Sequence, residues 1–272
     1  MADFKDKVVL VTGGASGIGF LMGKRSLKEG AAHLIIWDIN EDQLLLAADT
    51  LSKEGFSVST QLVDISDADS VVEAATRVLS DFEGIDFLFN NAGVVVGKPF
   101  HTQNSNDIAR TMRINAEGMM YVTNAFLPAM IQAKSGHIIN ITSAAGLLPN
   151  PGMTVYSASK WAVVGWSESL RLELRKSNSP IKVLNVMPGY INTGMFKGVT
   201  PPLLMPLLEP EVITAKIIKA VKKDKIHLKE PFLVKLTTFL RGILPTSVFD
   251  ALAGGVFKVY HSMDTFVGHD HE

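Results

Sequence analysis

Tyr156 and Lys160 are separated by Ser-Ala-Ser, and residues four apart on a helix stack on one face. That spacing sets an ammonium beside a phenol. A free phenol ionises near pH 10 and transfers protons poorly at neutral pH. Lowering that value by about 2–3 units takes roughly 3–4 kcal/mol of preferential stabilisation of the phenolate, which a neighbouring cation in a partly dry site supplies. With Ser143 upstream and the glycine-rich stretch Thr12-Gly-Gly-Ala-Ser-Gly-Ile-Gly19 near the start, the pair reads as the working end of a hydride-transfer enzyme. Tyr-x-x-x-Lys alone is common, and its plain reading is an exposed helical pair. The surrounding motifs must decide.

Gly13, Gly17 and Gly19 fall between an apolar run, 8–11, and a helical pattern over 18–29. A tight turn there lets backbone N–H groups, including those of Ser16 and Ile18, approach a pyrophosphate at the positive end of the helix. Asp38 closes the second apolar run, 33–37, about 20 residues beyond the glycines, where a ribose-binding carboxylate belongs. It would accept hydrogen bonds from the adenosine hydroxyls and repel a 2′-phosphate. Neither the Gly14-Ala15-Ser16 stretch nor Ile39-Asn40 offers a cation for that phosphate, so NAD is preferred to NADP. The plain alternative for Asp38 is a loop cap.

Further elements follow in alternation. Helices are expected over 41–54, 69–82, 108–133 and 156–176, and strands over 58–63, 87–89, 137–141 and 181–186. Strands that are apolar throughout, alternating with amphipathic helices, imply a doubly wound parallel sheet covered on both faces, a Rossmann-type α/β fold. The 272 residues suit a single domain, 1–272. Net charge is −1 with the signs interspersed, so no basic face points to nucleic acid. The chain has no cysteine, which removes disulfides, thiolate metal sites and thiol catalysis. His269 and His271 sit in a tail better read as frayed than as a metal site, and no metal is expected. The charged beginning, Met1-Ala-Asp-Phe-Lys-Asp-Lys, runs into a strand and resembles no signal peptide, giving a cytoplasmic expectation.

The chain resembles the short-chain dehydrogenase/reductase family over about residues 5–195, through Thr12-Gly-x-x-x-Gly-x-Gly19, Asp64, Asn90-Asn-Ala-Gly93, Asn115, Ser143, Tyr156-x-x-x-Lys160 and Pro188-Gly189 followed by Thr193. The resemblance implies that Tyr156 is the general acid/base and that Lys160 lowers its pKa and binds the nicotinamide ribose. It further implies that Ser143, with Thr142 a weaker candidate, holds the substrate oxygen. By the same resemblance Asn115, inside the long helix, retains a water linking Lys160 to solvent. Asp64 and Ile65 would contact adenine, and Asn91, Ala92 and Gly93 would form the turn beside the cofactor, with a structural role open for Asn91. Pro188, Gly189 and Thr193 would meet the carboxamide side of nicotinamide. A homodimer or homotetramer is expected on the same ground, and Trp161 reads as core or interface filling.

Beyond residue 195 the pattern changes, dividing the domain into a core, 5–195, a substrate lid region, 196–230, and an apolar C-terminal extension, 231–272. Residues 199–210 are apolar and proline-punctuated, suited to a semi-rigid lid, and an amphipathic helix starts near Pro210. Leu and Met in the lid favour a lipophilic substrate. Segments 232–244 and 248–260 carry sparse basic residues among large hydrophobes, a composition that fits a membrane interface, a pocket cover or a partner copy. This ending is similar to the branch containing 17β-hydroxysteroid and retinol dehydrogenases, without that branch's N-terminal anchor. The expected function is NAD-dependent interconversion of a steroid, retinoid or long-chain alcohol and its carbonyl. Its rivals are a non-catalytic dinucleotide-binding protein on lipid surfaces and an NADP-linked carbonyl or acyl-thioester reductase.

Overall fold

The computed structural model describes residues 2–268. Its strands are β1 (Val8–Thr12), β2 (His33–Asp38), β3 (Val58–Leu62), β4 (Phe87–Asn90), β5 (His137–Ile141), β6 (Lys182–Pro188) and β7 (His227–Glu230). All pair in parallel, in the order β3-β2-β1-β4-β5-β6-β7. The helices are α1 (Gly17–Lys28), α2 (Glu41–Lys53), α3 (Ala68–Phe82), α4 (Ser105–Met112), α5 (Gly118–Ala133), α6 (Thr154–Lys176), α7 (Pro210–Lys222), α8 (Phe232–Ile243) and α9 (Thr246–Asp250).

The central strands are buried because they alternate between two cores. Val9, Val11, Leu34 and Ile36 face one side, packed with Met22, Leu44, Ile213 and Ile217 of α1, α2 and α7. Leu10, Ile35, Trp37 and Leu88 face the other, packed with Val71, Val122, Phe126 and Leu170 of α3, α5 and α6. Truncating one of these side chains to alanine costs about 2–5 kcal/mol. The fully apolar strands are therefore the cause of the two-sided helical cover. Asn90, Asn140 and Asn185 are buried in the middle of this sheet. Asn90 Nδ2 donates to Thr123 at 2.9 Å and to Asn140 at 2.8 Å, and Asn140 Nδ2 donates to Ser167 at 2.7 Å, a polar thread that sets α5 and α6 against β4 and β5.

Strand order reverses between β1 and β4, so the loops leaving their carboxyl ends part and leave a crevice, where ligands bind in open α/β sheets. β7 departs from the expected lid region, 196–230, by supplying a seventh strand. It is a short edge strand in which Leu228 alone is fully buried, so it carries little apolar signal.

The expected helix over 108–133 is also divided. A π-helical turn over Arg113–Glu117 joins α4 to α5. At its end Gly118 lets the helix press against the loop after β3, where an added Cβ would lie 2.8 Å from the Ile65 carbonyl oxygen. Of the C-terminal apolar segments, the first is α8 and the second breaks into α9, a π-helical turn over Ala251–Val256 and a short turn at Val259–His261. No helix among the described residues is long and apolar enough to cross a membrane. His269 and His271 lie outside the described residues.

Candidate active site

A cavity of about 810 Å³ opens over the crevice. At one end the glycine-rich turn leaves room for a phosphate. Gly13 holds φ +58°, and a Cβ there would lie 2.8 Å from Ala92 Cα, so only glycine lets this turn rest on the β4 loop. Gly17, at φ +54°, faces Thr193 across open space, a Cβ there meeting nothing closer than 3.9 Å. Ser16 precedes α1 without capping it, and the first turn of α1 holds no acid. Its N–H groups and positive helix end are thus left to an anion. Gly13, Ser16, Gly17 and Ile18 line the cavity. This geometry fits the diphosphate of a dinucleotide. Gly19 packs against Gly13, where a Cβ would come within 2.1 Å of the carbonyl oxygen, so its part in the turn is close packing of α1 on the loop.

Asp38 lines the same wall as Ile39, Asn40 and Gln43. Its carboxylate accepts N–H bonds from Ala15 at 3.1 Å, Ile39 at 2.9 Å and Asn40 at 3.2 Å. The loop-cap reading thus holds: the carboxylate is fixed by its own loop and by the glycine-rich turn, at the wall of the cavity. Asp64 and Ile65 line the adjoining corner, and Asp64 accepts from the Ser66 N–H at 2.9 Å. Across from them stand Asn106, Arg110, Arg113 and Ile114 from α4 and the π-helical turn. Sequence reasoning missed the two arginines, which line the cavity from the end of α4 and the start of the π-helical turn. Asn91 donates through Nδ2 to the Thr12 and Gly13 carbonyls at 3.1 and 2.9 Å, so its side chain braces the end of β1 and the glycine turn, and Asn91, Ala92 and Gly93 all border the cavity.

The reactive groups gather at the carboxyl ends of β4, β5 and β6. Ser143 follows β5; Tyr156 and Lys160 project from the first turns of α6. Tyr156, Ser143 and Lys160 are all buried and border the cavity beside Pro188, Gly189 and Thr193. Ser143 sits on the phenol's side of the cavity, where it pulls the Tyr156 pKa downward, and its Oγ accepts the Ala145 N–H at 3.1 Å. Thr142 instead donates its hydroxyl to the Val186 carbonyl at 2.7 Å, which leaves Ser143 as the hydroxyl facing the site.

Lys160 Nζ lies 5.6 Å from the Tyr156 ring centroid and donates to the Ile141 carbonyl at 3.2 Å. Enclosure acts against the expected lowering of the phenol pKa. Burial pushes Tyr156 up to about 12, against the opposing pull of the Ser143 hydrogen bond, and burial pushes Lys160 down to about 8. Both shifts favour the neutral forms, because a dry site penalises either charge.

Asn115 occupies the π-helical turn, fully buried. It brackets Val94, donating to its carbonyl at 2.9 Å and accepting its N–H at 2.8 Å, and donates to Ser159 at 3.2 Å. Ser159 in turn donates to the Tyr156 carbonyl at 2.7 Å. A Cβ on Gly93 would meet Asn115 Oδ1 at 3.1 Å and Lys160 Nζ at 3.6 Å, so Asn115 and Lys160 flank that glycine. The amide of Asn115 is thus committed to backbone and to Ser159. Two apolar residues at the junction of the expected core and lid region, Met195 and Phe196, also line the cavity. Phe196 stands edge-on to Tyr156, ring centroids 6.4 Å apart. Trp161, expected as filling, is exposed beneath the Arg241 guanidinium at 4.6 Å, so it ties α6 to α8.

Comparison with known proteins accords with this arrangement. The profile described as "short chain dehydrogenase" matches residues 7–203. Epidermal retinol dehydrogenase 2 of Mus musculus is 34% identical over 266 residues, spanning 96% of this chain and 85% of that protein. A short chain dehydrogenase/reductase from Burkholderia phymatum in complex with NAD superposes with a TM-score of 0.82 at 26% identity, covering 89% of this chain and 95% of that one. A metagenomic short-chain oxidoreductase in complex with NADP superposes with a TM-score of 0.71 at 28% identity, covering 85% and 100%.

Proposed function

The chain belongs to the short-chain dehydrogenase family and is an oxidoreductase acting on CH–OH groups, and from that premise we propose that it uses NAD to interconvert a lipophilic alcohol and its carbonyl. The observation that carries the reading is the convergence of Ser143, Tyr156 and Lys160 on one cavity with the α1 phosphate cradle. When bound, the nicotinamide supplies the hydride acceptor or donor and, oxidised, a positive ring close to the phenol.

Tyr156 exchanges a proton with the reacting oxygen, and Ser143 Oγ holds that oxygen and stabilises the charge it gains. Burial pushes the phenol up to about 12, which favours its protonated form. Lys160 orients the ribose and offers positive charge when protonated. Asn115 acts at one remove, fixing Val94 and, through Ser159, the first turn of α6. Thr193, Pro188 and Gly189 border the nicotinamide side. Asp38 selects the adenosine ribose; its fixed carboxylate favours NAD, whereas Arg110 and Arg113 in the same cavity are the observation on the side of NADP.

The apolar outer wall of Ile191, Met195 and Phe196 supports a lipophilic substrate, as does the retinol named in the mouse relative. A homodimer or homotetramer in the cytoplasm, touching membranes peripherally through α8, completes the reading. The test is turnover of retinol, a steroid alcohol and aliphatic alcohols with NAD or NADP, beside Tyr156→Phe. Asp38→Ala should erase an NAD preference of tenfold or more; equal use of both cofactors by the parent protein would overturn the NAD assignment. Undiminished turnover by Tyr156→Phe would overturn the assignment of the proton-transfer group.

A further inference from the structure

Away from the crevice, a second groove of about 420 Å³ runs between the carboxyl-terminal halves of α1 and α7. Arg25, Lys28, Lys219, Lys222 and Lys223 line it, and Glu29 is the one acid among the lining residues. The chain as a whole carries 26 bases and 27 acids, so this is a local excess in a balanced molecule. We propose that the groove is a second ligand site, separate from the dinucleotide cavity, for a small anion that carries two or more phosphate groups. Such a site stands or falls independently of the reaction at Tyr156.

The excess has a cause in the fold. α1 and α7 share one core on the same side of the sheet, through Met22, Ile213 and Ile217. They run side by side in one direction, since Arg25 meets Glu211 and Thr214 while Glu29, one turn on, meets Lys222. Cations are favoured in the last turn of a helix, where they complement its exposed carbonyls. Each helix follows that rule, α1 with Arg25 and Lys28 and α7 with Lys219 and Lys222. Parallel packing then brings the two basic turns together.

The walls of the groove are clamped. Arg25 donates through Nε to Thr214 Oγ1 at 3.0 Å and through Nη2 to the Glu211 carbonyl at 2.9 Å, and it pairs with the Glu211 carboxylate. Thr214 is fully buried. Lys222 pairs with Glu29 across the same interface. Ile218, which is buried, and Ala215 complete the lining. Three cations are left over: among the described residues the side chains of Lys28, Lys219 and Lys223 have no ion-pair or hydrogen-bond partner. Glu29 and Asp3 act on Lys222 instead. Like charges gathered in one groove repel one another, and a multivalent anion between them replaces that repulsion by attraction.

The lining also selects among anions. Lysine presents a compact charge with three donors, which suits phosphate oxygens. One phosphate carries about two charges, so a ligand that engages three lysines on two helices needs more than one such group. The volume lies toward the small end of the range for small-molecule sites. No aromatic residue lines the groove, so a nucleic-acid strand has nothing on which to stack its bases. Nor does the lining offer the large exposed apolar side chains by which a surface enters lipid. The coenzyme cradle lies at the opposite end of α1, at Gly17 and Ile18, and the two cavities share a helix but no lining residue.

The experiment is calorimetric titration of the full-length protein with inorganic phosphate, pyrophosphate and tripolyphosphate, first without NAD and then with NAD saturating. The buffer holds about 0.15 M NaCl, at which charges more than ~8 Å apart are largely screened. One saturable site should persist when NAD is present, tightening from phosphate to pyrophosphate to tripolyphosphate. Lys219→Gln combined with Lys223→Gln should weaken tripolyphosphate by about tenfold or more, with melting temperature and NAD affinity retained. Lys219→Arg, which keeps the charge, should hold most of the parental affinity. Lys176→Gln combined with Lys182→Gln removes the same charge from outside the groove and should change the affinity by less than about twofold. Disappearance of saturable binding once NAD is present would assign the anion to the coenzyme cradle and overturn the site. Parental affinity in the groove variant, or an equal loss in the variant outside it, would overturn it as well.

Discussion

The chemistry of this site begins with two side chains that burial drives in opposite directions. Tyr156 to Phe removes the proton donor while preserving the ring against Phe196, so kcat should fall by about 10²–10⁴-fold with NAD affinity retained, as steady-state kinetics and calorimetric titration would show. Lys160 is costly where it stands: its ammonium is buried, with the Ile141 carbonyl as its hydrogen-bond acceptor. Lys160→Met should therefore abolish useful turnover and yet leave the ligand-free protein as stable or more so at pH 7, by up to about 3 kcal/mol, measured by urea unfolding. A marked loss of stability would contradict the burial argument. The four-residue spacing made the pair legible in the sequence, as did the glycine turn and the acid closing β2. Their protonation was not legible, because the pKa shifts arise from enclosure by Phe196, Tyr190 and other residues distant in the chain, which spacing does not reveal. Gly19 was readable as part of a motif but not as a packing residue, since its contact with the Gly13 carbonyl exists only once the turn closes.

Among the elements, the π-helical turn between α4 and α5 is the one that sets Asn115 against Val94. Inserting a Cβ at Gly118 would drive the helix off the Ile65 carbonyl, so Gly118→Val should lower stability by about 1–3 kcal/mol and weaken NAD binding, both measurable by thermal shift with and without cofactor. Unaltered NAD affinity would show that this helix position does not matter to the site. The sequence pattern reads through the break as one amphipathic helix because a π-helical turn keeps all residues helical and changes only their phase. β7 escaped notice for a different reason, being four residues of largely polar edge strand. α8 shows a further face: Leu233, Val234 and Thr237 point inward, while Phe232, Leu236, Phe239 and Ile243 are exposed along one stripe. If that stripe lies on lipid, Phe232→Ser with Phe239→Ser should reduce co-sedimentation with anionic vesicles several-fold while leaving α8 folded. Equal sedimentation of the double variant would remove the membrane part of the proposal.

For the whole molecule, the same two buried groups set a pH dependence of stability. Lys160 titrates near 8 when folded and at its ordinary 10.5 when unfolded, so between those values the unfolded chain binds more protons and stability rises with pH. Tyr156 acts above that window: folded, it holds its proton to about 12 against an ordinary 10, so stability falls as pH climbs from 10 to 12. The ligand-free protein should gain about 2 kcal/mol from this lysine between pH 7.5 and 9.5, a gain that Lys160→Met lacks in parallel urea titrations. The chain order also dictates when each part of the site comes into being. The residues that line the cavity lie between Gly13 and Phe196, whereas α7, whose Ile213 and Ile217 share a core with Met22 of α1, follows them in the chain. The lining is thus translated before part of the core that supports it, and a chain arrested after β6 would carry the site's residues without one of the helices that brace them.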